Sequence, residues 1–222
     1  MKTYNIVASL VIVSTTAATA QTLSSWDMGN GSAGGVGNQL HDCINTNKFT
    51  RAKSNPDGVN DNAWSYTTGV TNTSSSASCF YSWGDTYNAK EYVGFSFTAG
   101  PLASGQVNEL EFSIRGYDAD DPDKYRVTAF KNGIQILALS APGNISTAWA
   151  AKSHLQNINF SGNDTIEFRI SAYEYGAPLT SSHSRMSLDN VSINGTHICV
   201  PEPSSSLLVG LGLFGFVLRR RR

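Results

Sequence analysis

The chain has little charge and few reactive side chains. Of its 222 residues, 15% are Asp, Glu, Lys or Arg, and there are three cysteines, four histidines and three methionines. Each scarcity removes a class of function. His41, His154, His183 and His197 are scattered, with no H-x-x-x-H or HExxH spacing, so the usual sequence mark of a zinc site is missing. No G-x-S-x-G occurs, which removes the hydrolase nucleophile elbow. No apolar run reaches the ~20 residues of a full membrane-spanning helix. Between residues 21 and 200 there are 11 Lys and Arg against 16 Asp and Glu, a balance of −5. Nucleic acid is therefore not an expected partner, because neutralising phosphates needs a basic face.

What the chain does have begins at its ends. Met1-Lys2 places one positive charge before an apolar run, Ile6 to Val13, and Ala18-Thr19-Ala20 follows in the A-x-A cleavage pattern. That order reads as a secretory signal peptide over residues 1–20, for export by the Sec route. Gln21 is then the expected mature N-terminus. The other end reads Val200-Pro201-Glu202-Pro203, three serines, an apolar run from Leu207 to Leu218, and Arg219 to Arg222. As a helix, the apolar run spans about 18 Å, short of the roughly 30 Å hydrocarbon core. It is long enough for transient insertion in the inner membrane, with the arginines held on the cytoplasmic side.

Pro-Glu-Pro, a short apolar helix and a terminal basic cluster, in that order, resemble the PEP-CTERM sorting signal of Gram-negative bacteria. The matching residues are Pro201, Glu202 and Pro203, the run 207–218 and the arginines 219–222, within a segment over 199–222. The resemblance implies processing by an exosortase, a membrane-embedded cysteine protease-transpeptidase. It also implies delivery to the cell surface or matrix in bacteria that make exopolysaccharide. It implies nothing about the domain upstream.

That domain, 21–198, is rich in Ser, Thr, Asn, Gly and aromatic residues, a composition of strands and turns. Residues 21–90 read as irregular, with short strands at Ser24–Met28, Ala63–Thr67 and Cys79–Trp83. From 91 to 196 a period of two is clear. Val93, Phe95 and Phe97 form one apolar face, followed by Leu110, Phe112 and Ile114, then Tyr125, Val127 and Ala129. Asn132-Gly133 predicts a type I′ hairpin turn into a strand over 134–139. Strands over 155–160 and 165–172 flank the turn Ser161-Gly162-Asn163-Asp164. In the last strand, Met186–Ile193, parity changes between Leu188 and Val191, which predicts a bulge near Asp189-Asn190. One buried face per strand requires a second sheet or a closed barrel. The expected fold is an all-β, jelly-roll-like sandwich of about eight to ten strands. The closing LDNVSI is similar to the last strand of jelly-roll carbohydrate-binding modules, which implies a non-catalytic glycan-binding fold.

Export favours disulfides. Cys43–Cys79 is the expected pair, closing a loop of about 37 residues worth roughly 3–4 kcal/mol, with Cys199 left over. Trp64 with Tyr66, and Tyr81 with Trp83, are spaced two apart and are the candidate glycan-stacking rings. Tyr87, Trp149, Tyr173 and Tyr175 are further loop or edge candidates. Asp118, Asp120, Asp121 and Asp123 on one loop, and Asp189, are candidate ligands for a structural calcium; no other cofactor is implied. Glu109 and Glu111 share a strand face, and paired carboxylates hydrolyse glycosides, although a solvated outer face explains them more simply. The expected function is a non-catalytic surface or matrix protein, structural or adhesive beside exopolysaccharide. A dedicated carbohydrate-binding module is the alternative, and a glycoside-active enzyme comes third.

Overall fold

The computed structural model describes residues 20–26, 28, 37–52, 64–67, 77–81, 83, 86–116, 121–138, 141–173 and 185–200. The apolar run 207–218, expected to be helical, and the signal segment lie outside them. Among the described residues there is no helix. The described residues form fourteen strands: β1 (Gln21–Trp26), β2 (Gly37–Gln39), β3 (Ile44–Thr46), β4 (Thr50–Ala52), β5 (Trp64–Thr67), β6 (Ala77–Tyr81) and β7 (Tyr92–Ala99). They continue with β8 (Ala103–Arg115), β9 (Lys124–Lys131), β10 (Ile134–Ala138), β11 (Gly143–Asn144), β12 (Ala150–Ser161), β13 (Thr165–Tyr173) and β14 (Arg185–Cys199). One antiparallel sheet has the order β12-β8-β14-β1-β2, with β6 on β14 and β5 on β6. The other has the order β10-β9-β13-β7-β3, with β4 on β7 and β11 on β9.

The expected all-β sandwich is therefore what forms, with more strands than the alternation predicted. The additional ones, β2, β3, β4 and β11, are two or three residues long. They exist because a longer neighbour pairs with them, and three residues are too few to show a period. The long strands bury the predicted faces: Val93, Phe95, Phe97, Leu110, Ile114, Ile166, Phe168 and Ile170 are all fully buried. Aromatic pairs knit the two sheets together. Trp26 on β1 meets Phe95 on β7 edge-on, with ring centroids 5.2 Å apart, and Phe160 on β12 meets Phe97 at the same distance. Each large buried side chain contributes about 1.5–3 kcal/mol of hydrophobic stabilisation.

The predicted bulge is present. The β14–β8 register shifts between Asp189 and Ser192, and Asn190 has φ 50°. Met186, Leu188, Val191 and Ile193 all stay buried as a result. Gly195 on β14 sits where a Cβ would lie 2.1 Å from the Gln106 carbonyl oxygen of β8, so the strand crossing there needs glycine.

Both predicted turns form, and Asp164 ties them together. Asn132 and Gly133 have φ 53° and 77°, and Asn163 has φ 66°, the left-handed values these residues tolerate best. The Asp164 carboxylate accepts hydrogen bonds from Asn132 Nδ2 and Ser161 N, each at 2.8 Å, and pairs with Lys131 Nζ at 2.9 Å. Asn132 Oδ1 in turn accepts from Thr165 N at 2.8 Å. Burial, the largest single effect, pushes the Asp164 pKa up. Lys131, Asn132 and Ser161 together outweigh it and hold the group well below the usual carboxylate range.

The disulfide differs from expectation. Cys43 is bonded to Cys199, with Cα atoms 5.9 Å apart, and not to Cys79. The reason is register. Cys79 on β6 pairs with Ser187 near the start of β14, while Cys199 ends that strand. Twelve residues of strand separate the two positions by on the order of 35 Å. Cys43 lies at the Cys199 end, where its carbonyl accepts a 2.7 Å hydrogen bond from Gly100 N. The bond therefore locks the chain's first quarter to its last strand and joins the two sheets at one end.

Candidate functional site

On β7, β13 and β9 the odd-numbered residues of the first and third strands, and the even-numbered residues of the second, go to the core. The alternate positions form the outer face of the second sheet. There, Arg169 on the central strand β13 lies between two rings. Its guanidinium carbon is 4.2 Å from the Tyr92 ring centroid and 3.8 Å from that of Phe130. These three residues sit on β7, β13 and β9, so the cluster crosses three strands. Gly94 lies opposite Arg169 in register. A Cβ at Gly94 would come 2.8 Å from Glu167 Oε1 and 2.6 Å from Thr50 Oγ1. Glycine thus lets Glu167 lie close over the strand, where Glu167 Oε2 accepts from Arg169 Nη2 at 2.8 Å.

A second stack continues along the face. Arg126 lies 4.3 Å from the Tyr87 ring centroid, and Tyr87 meets the buried Tyr173 edge-on at 5.8 Å. At the β4 edge, Arg51 lies 3.8 Å over the Trp83 ring. The outer face therefore carries two arginine–aromatic stacks in a domain whose overall balance is acidic, whereas Arg51, opposite the buried Val93, and the buried Trp83 lie on the core side. Tyr87, Tyr92, Arg126, Phe130, Glu167 and Arg169 are all half-buried. The Nε atoms of Arg126 and Arg169 are buried and have no hydrogen-bond partner among the described residues, so any donor to a ligand comes from the outer nitrogens of the two guanidinium groups. Flat rings beside planar cationic donors can stack on a sugar ring and hydrogen-bond its hydroxyl or carboxylate groups.

The sequence singled out Tyr87 and Tyr173, and the structure brings them together. It did not single out Tyr92, Arg126, Phe130 or Arg169. Their signal was an aromatic or arginine at the outward step of a strand whose other step is core. Of the four stacking candidates, Trp83 is 3% exposed and belongs to the core, its ring covered by Arg51; it offers no open stacking face. Trp64 and Tyr66 lie on β5 and Tyr81 on β6, with Trp64 opposite Phe80 and Tyr81 opposite Arg185. The side chains of those three lie outside the described residues, as does Tyr175. Trp149 is half-buried beside Arg115, 4.7 Å away.

Asp118 and Asp120 lie outside the described residues. Asp121 is buried and accepts from Arg185 N at 2.6 Å. Asp123 pairs with Lys124 at 3.1 Å, and Asp189 accepts from Asn190 N at 2.8 Å. Each of the three is thus engaged by protein groups. Glu109 and Glu111 lie on the outer face of the first sheet. Asn194 Nδ2 donates to Glu111 at 2.7 Å and reaches Glu109 at 3.5 Å, and Ser153 Oγ also donates to Glu109. Pro201, Glu202 and Pro203 lie outside the described residues. Among the described residues, the group of His, Cys, Asp or Glu side chains with metal-ligand spacing is Cys43, His197 and Cys199.

Residues 200–222 match the PEP-CTERM protein-sorting motif, a signal of exported proteins that are processed at the C-terminus. No curated protein matches the chain. Several solved structures are similar at low identity. One, described as CBM4, shares 12% identity at a TM-score of 0.42, over 67% of this chain and 86% of its own. A family 29 carbohydrate-binding module complexed with mannohexaose shares 11% identity at a TM-score of 0.36, over 81% of this chain and 93% of its own. A cleaved adhesin domain of Lys-gingipain from Porphyromonas gingivalis shares 14% identity at a TM-score of 0.35, over 80% and 98%. At these values none of them carries a ligand or a mechanism over to this chain.

Proposed function

We propose that this chain is an exported, non-catalytic surface protein whose sandwich holds exopolysaccharide on the outer face of its second sheet. The carrying observation is the pair of partly exposed stacks, Tyr92–Arg169–Phe130 and Tyr87–Arg126. Rings supply sugar-stacking surface, and the guanidinium groups favour an anionic glycan, such as one bearing uronate. In this reading residues 1–20 direct export by the Sec route and are removed. The apolar run 207–218 holds the chain in the inner membrane until an exosortase acts, after which the protein is structural or adhesive at the surface or in the matrix. A catalytic reading has little support, because Glu109 and Glu111 share one amide donor on an open sheet face. Calcium at the loop 118–123 belongs to the same proposal as an optional structural ion.

The test is a polysaccharide pull-down with the full chain in mild detergent, with and without calcium. Saturable retention on acidic polysaccharide that is about tenfold weaker in Arg169→Ala supports the reading. Retention lost in Trp64→Ala, with Arg169→Ala unchanged, moves the site to β5 and β6. No retention on any polysaccharide sinks glycan binding.

A further inference from the structure

Two His-x-Cys segments from opposite ends of the chain meet at one end of the sandwich. His41 and Cys43 precede β3, and His197 and Cys199 close β14. The ligand atoms of Cys43, His197 and Cys199 all lie within 4.8 Å of one another. The rings of His41 and His197 have their centroids 4.2 Å apart. In the oxidised chain the two sulfurs are bonded to each other. We propose that reduction converts this cross-link into a tetrahedral site for one soft divalent ion such as Zn²⁺, held by Cys43, Cys199, His197 and His41.

The ligand set is the S₂N₂ donor set that zinc favours, with ligand atoms about 3.3–3.8 Å apart around the ion. For Cys43, His197 and Cys199 a spread of 4.8 Å closes to that with small side-chain movements once the sulfurs part, and His41, whose ring centroid is 4.2 Å from that of His197, turns in as the fourth ligand. His41 already has the outer acceptor that orients a metal-ligating histidine, and His197 gains one when the Gln21 amide turns. His41 Nε2 donates to the Thr22 carbonyl at 3.0 Å, which leaves Nδ1 as its ligand nitrogen. His197 Nδ1 is bonded to the Gln21 side-chain amide at 2.5 Å, which leaves Nε2. When Nε2 takes the ion, the ring proton moves to Nδ1, and the Gln21 amide turns its oxygen to accept it.

A phosphine or dithiol reductant supplies two electrons to the S–S bond, and two protons complete the thiols. The divalent ion then displaces both thiol protons to solvent and takes one lone pair from each imidazole. Disulfide and metal are mutually exclusive, because both need the same two sulfurs. Either one joins the first quarter of the chain to its last strand, one residue before the sorting motif begins at 200.

The experiment is a Co²⁺ titration of the full chain in mild detergent without oxygen, after reduction with a phosphine. A Cys79→Ser background removes the third thiol. The expected result is one Co²⁺ per chain, intense tetrahedral d–d bands and a thiolate charge-transfer band. All of these are absent from the oxidised chain, bleached by Zn²⁺ and lost in His197→Ala. His41→Ala is expected to weaken binding about tenfold or more. Only pale octahedral bands, or an unchanged spectrum in His197→Ala, overturns the proposal. A second readout covers a reduced chain that is too unstable to titrate. The melting temperature of the reduced Cys79→Ser chain should rise about 5–10 °C with Zn²⁺ at a hundredfold its Kd, and no rise overturns the proposal.

Discussion

Replacing Cys199 by Ser should remove the largest single constraint on the unfolded chain. The Cys43–Cys199 bond spans 156 residues. In the chain-entropy model, closing a loop of that length removes about 5 kcal/mol of unfolded-state entropy at 25 °C. The figure is a ceiling, because cross-linked chains often gain less than the model gives. A loss of about 3–5 kcal/mol is expected, a large share of the roughly 5–15 kcal/mol that holds a domain folded. The assay is urea unfolding of the oxidised full chain and of Cys199→Ser, with the two midpoints compared. Cys79→Ser is the control, and it should leave a non-reducing gel pattern with the internal cross-link intact. The alternative bond, Cys43–Cys79, would close about 37 residues and be worth about 4 kcal/mol. It would be lost in Cys79→Ser and kept in Cys199→Ser. That inverted pattern would refute the register argument.

Other outcomes follow from individual contacts. Asp164→Ala should cost about 1–3 kcal/mol by removing the brace between the two turns, measured by urea unfolding. The Asp164 pKa is depressed in the fold, so its contribution is present above the ordinary carboxylate value of about 4 and is lost as pH falls below it. An acid-unfolding curve that is steep below pH ~4 and flattened in Asp164→Asn is the check. His154 stacks on Phe112 at 5.6 Å and shares a 3.1 Å hydrogen bond with Tyr125. Burial, then the charge of Lys152, lower its pKa. Its NMR titration midpoint should lie below the usual ~6.5 and rise in Lys152→Ala, and stability should fall as pH drops below ~6.5. Gly195→Ala should cost about 3 kcal/mol or more, because its Cβ has backbone on one side with no room to yield. Gly133→Ala, in open space at φ 77°, should cost about 1 kcal/mol.

The sandwich was legible wherever a strand was long enough to show its period. Val93, Phe95 and Phe97 declared a face because three alternating apolar residues occur together. The bulge at Asp189-Asn190 was legible because parity fails between Leu188 and Val191. The turns at Asn132-Gly133 and Asn163 were legible from the residues that tolerate positive φ. Disulfide pairing was not legible, since it depends on which end of β14 each cysteine reaches, and register along a 15-residue strand is a tertiary fact. Trp83 was misread for a related reason. Its spacing from Tyr81 is that of a shared strand face, but β6 ends at Tyr81, and Trp83 turns into the core beneath Arg51. The stacks on the second sheet were half legible. Outward rings at Tyr92 and Phe130 are written in the alternation, but that Arg169 lies between them depends on three strands pairing in one register.

The central claim is that the outer face of the second sheet binds an anionic polysaccharide. The most direct test is affinity electrophoresis of the full chain in gels containing a uronate polysaccharide, beside Arg126→Ala, Arg169→Ala and the double variant. Unfolding midpoints confirm that each variant is folded. The account predicts retardation by the polysaccharide, about tenfold weaker in each single variant and absent in the double variant. A folded double variant retarded as strongly as the parent chain would contradict it.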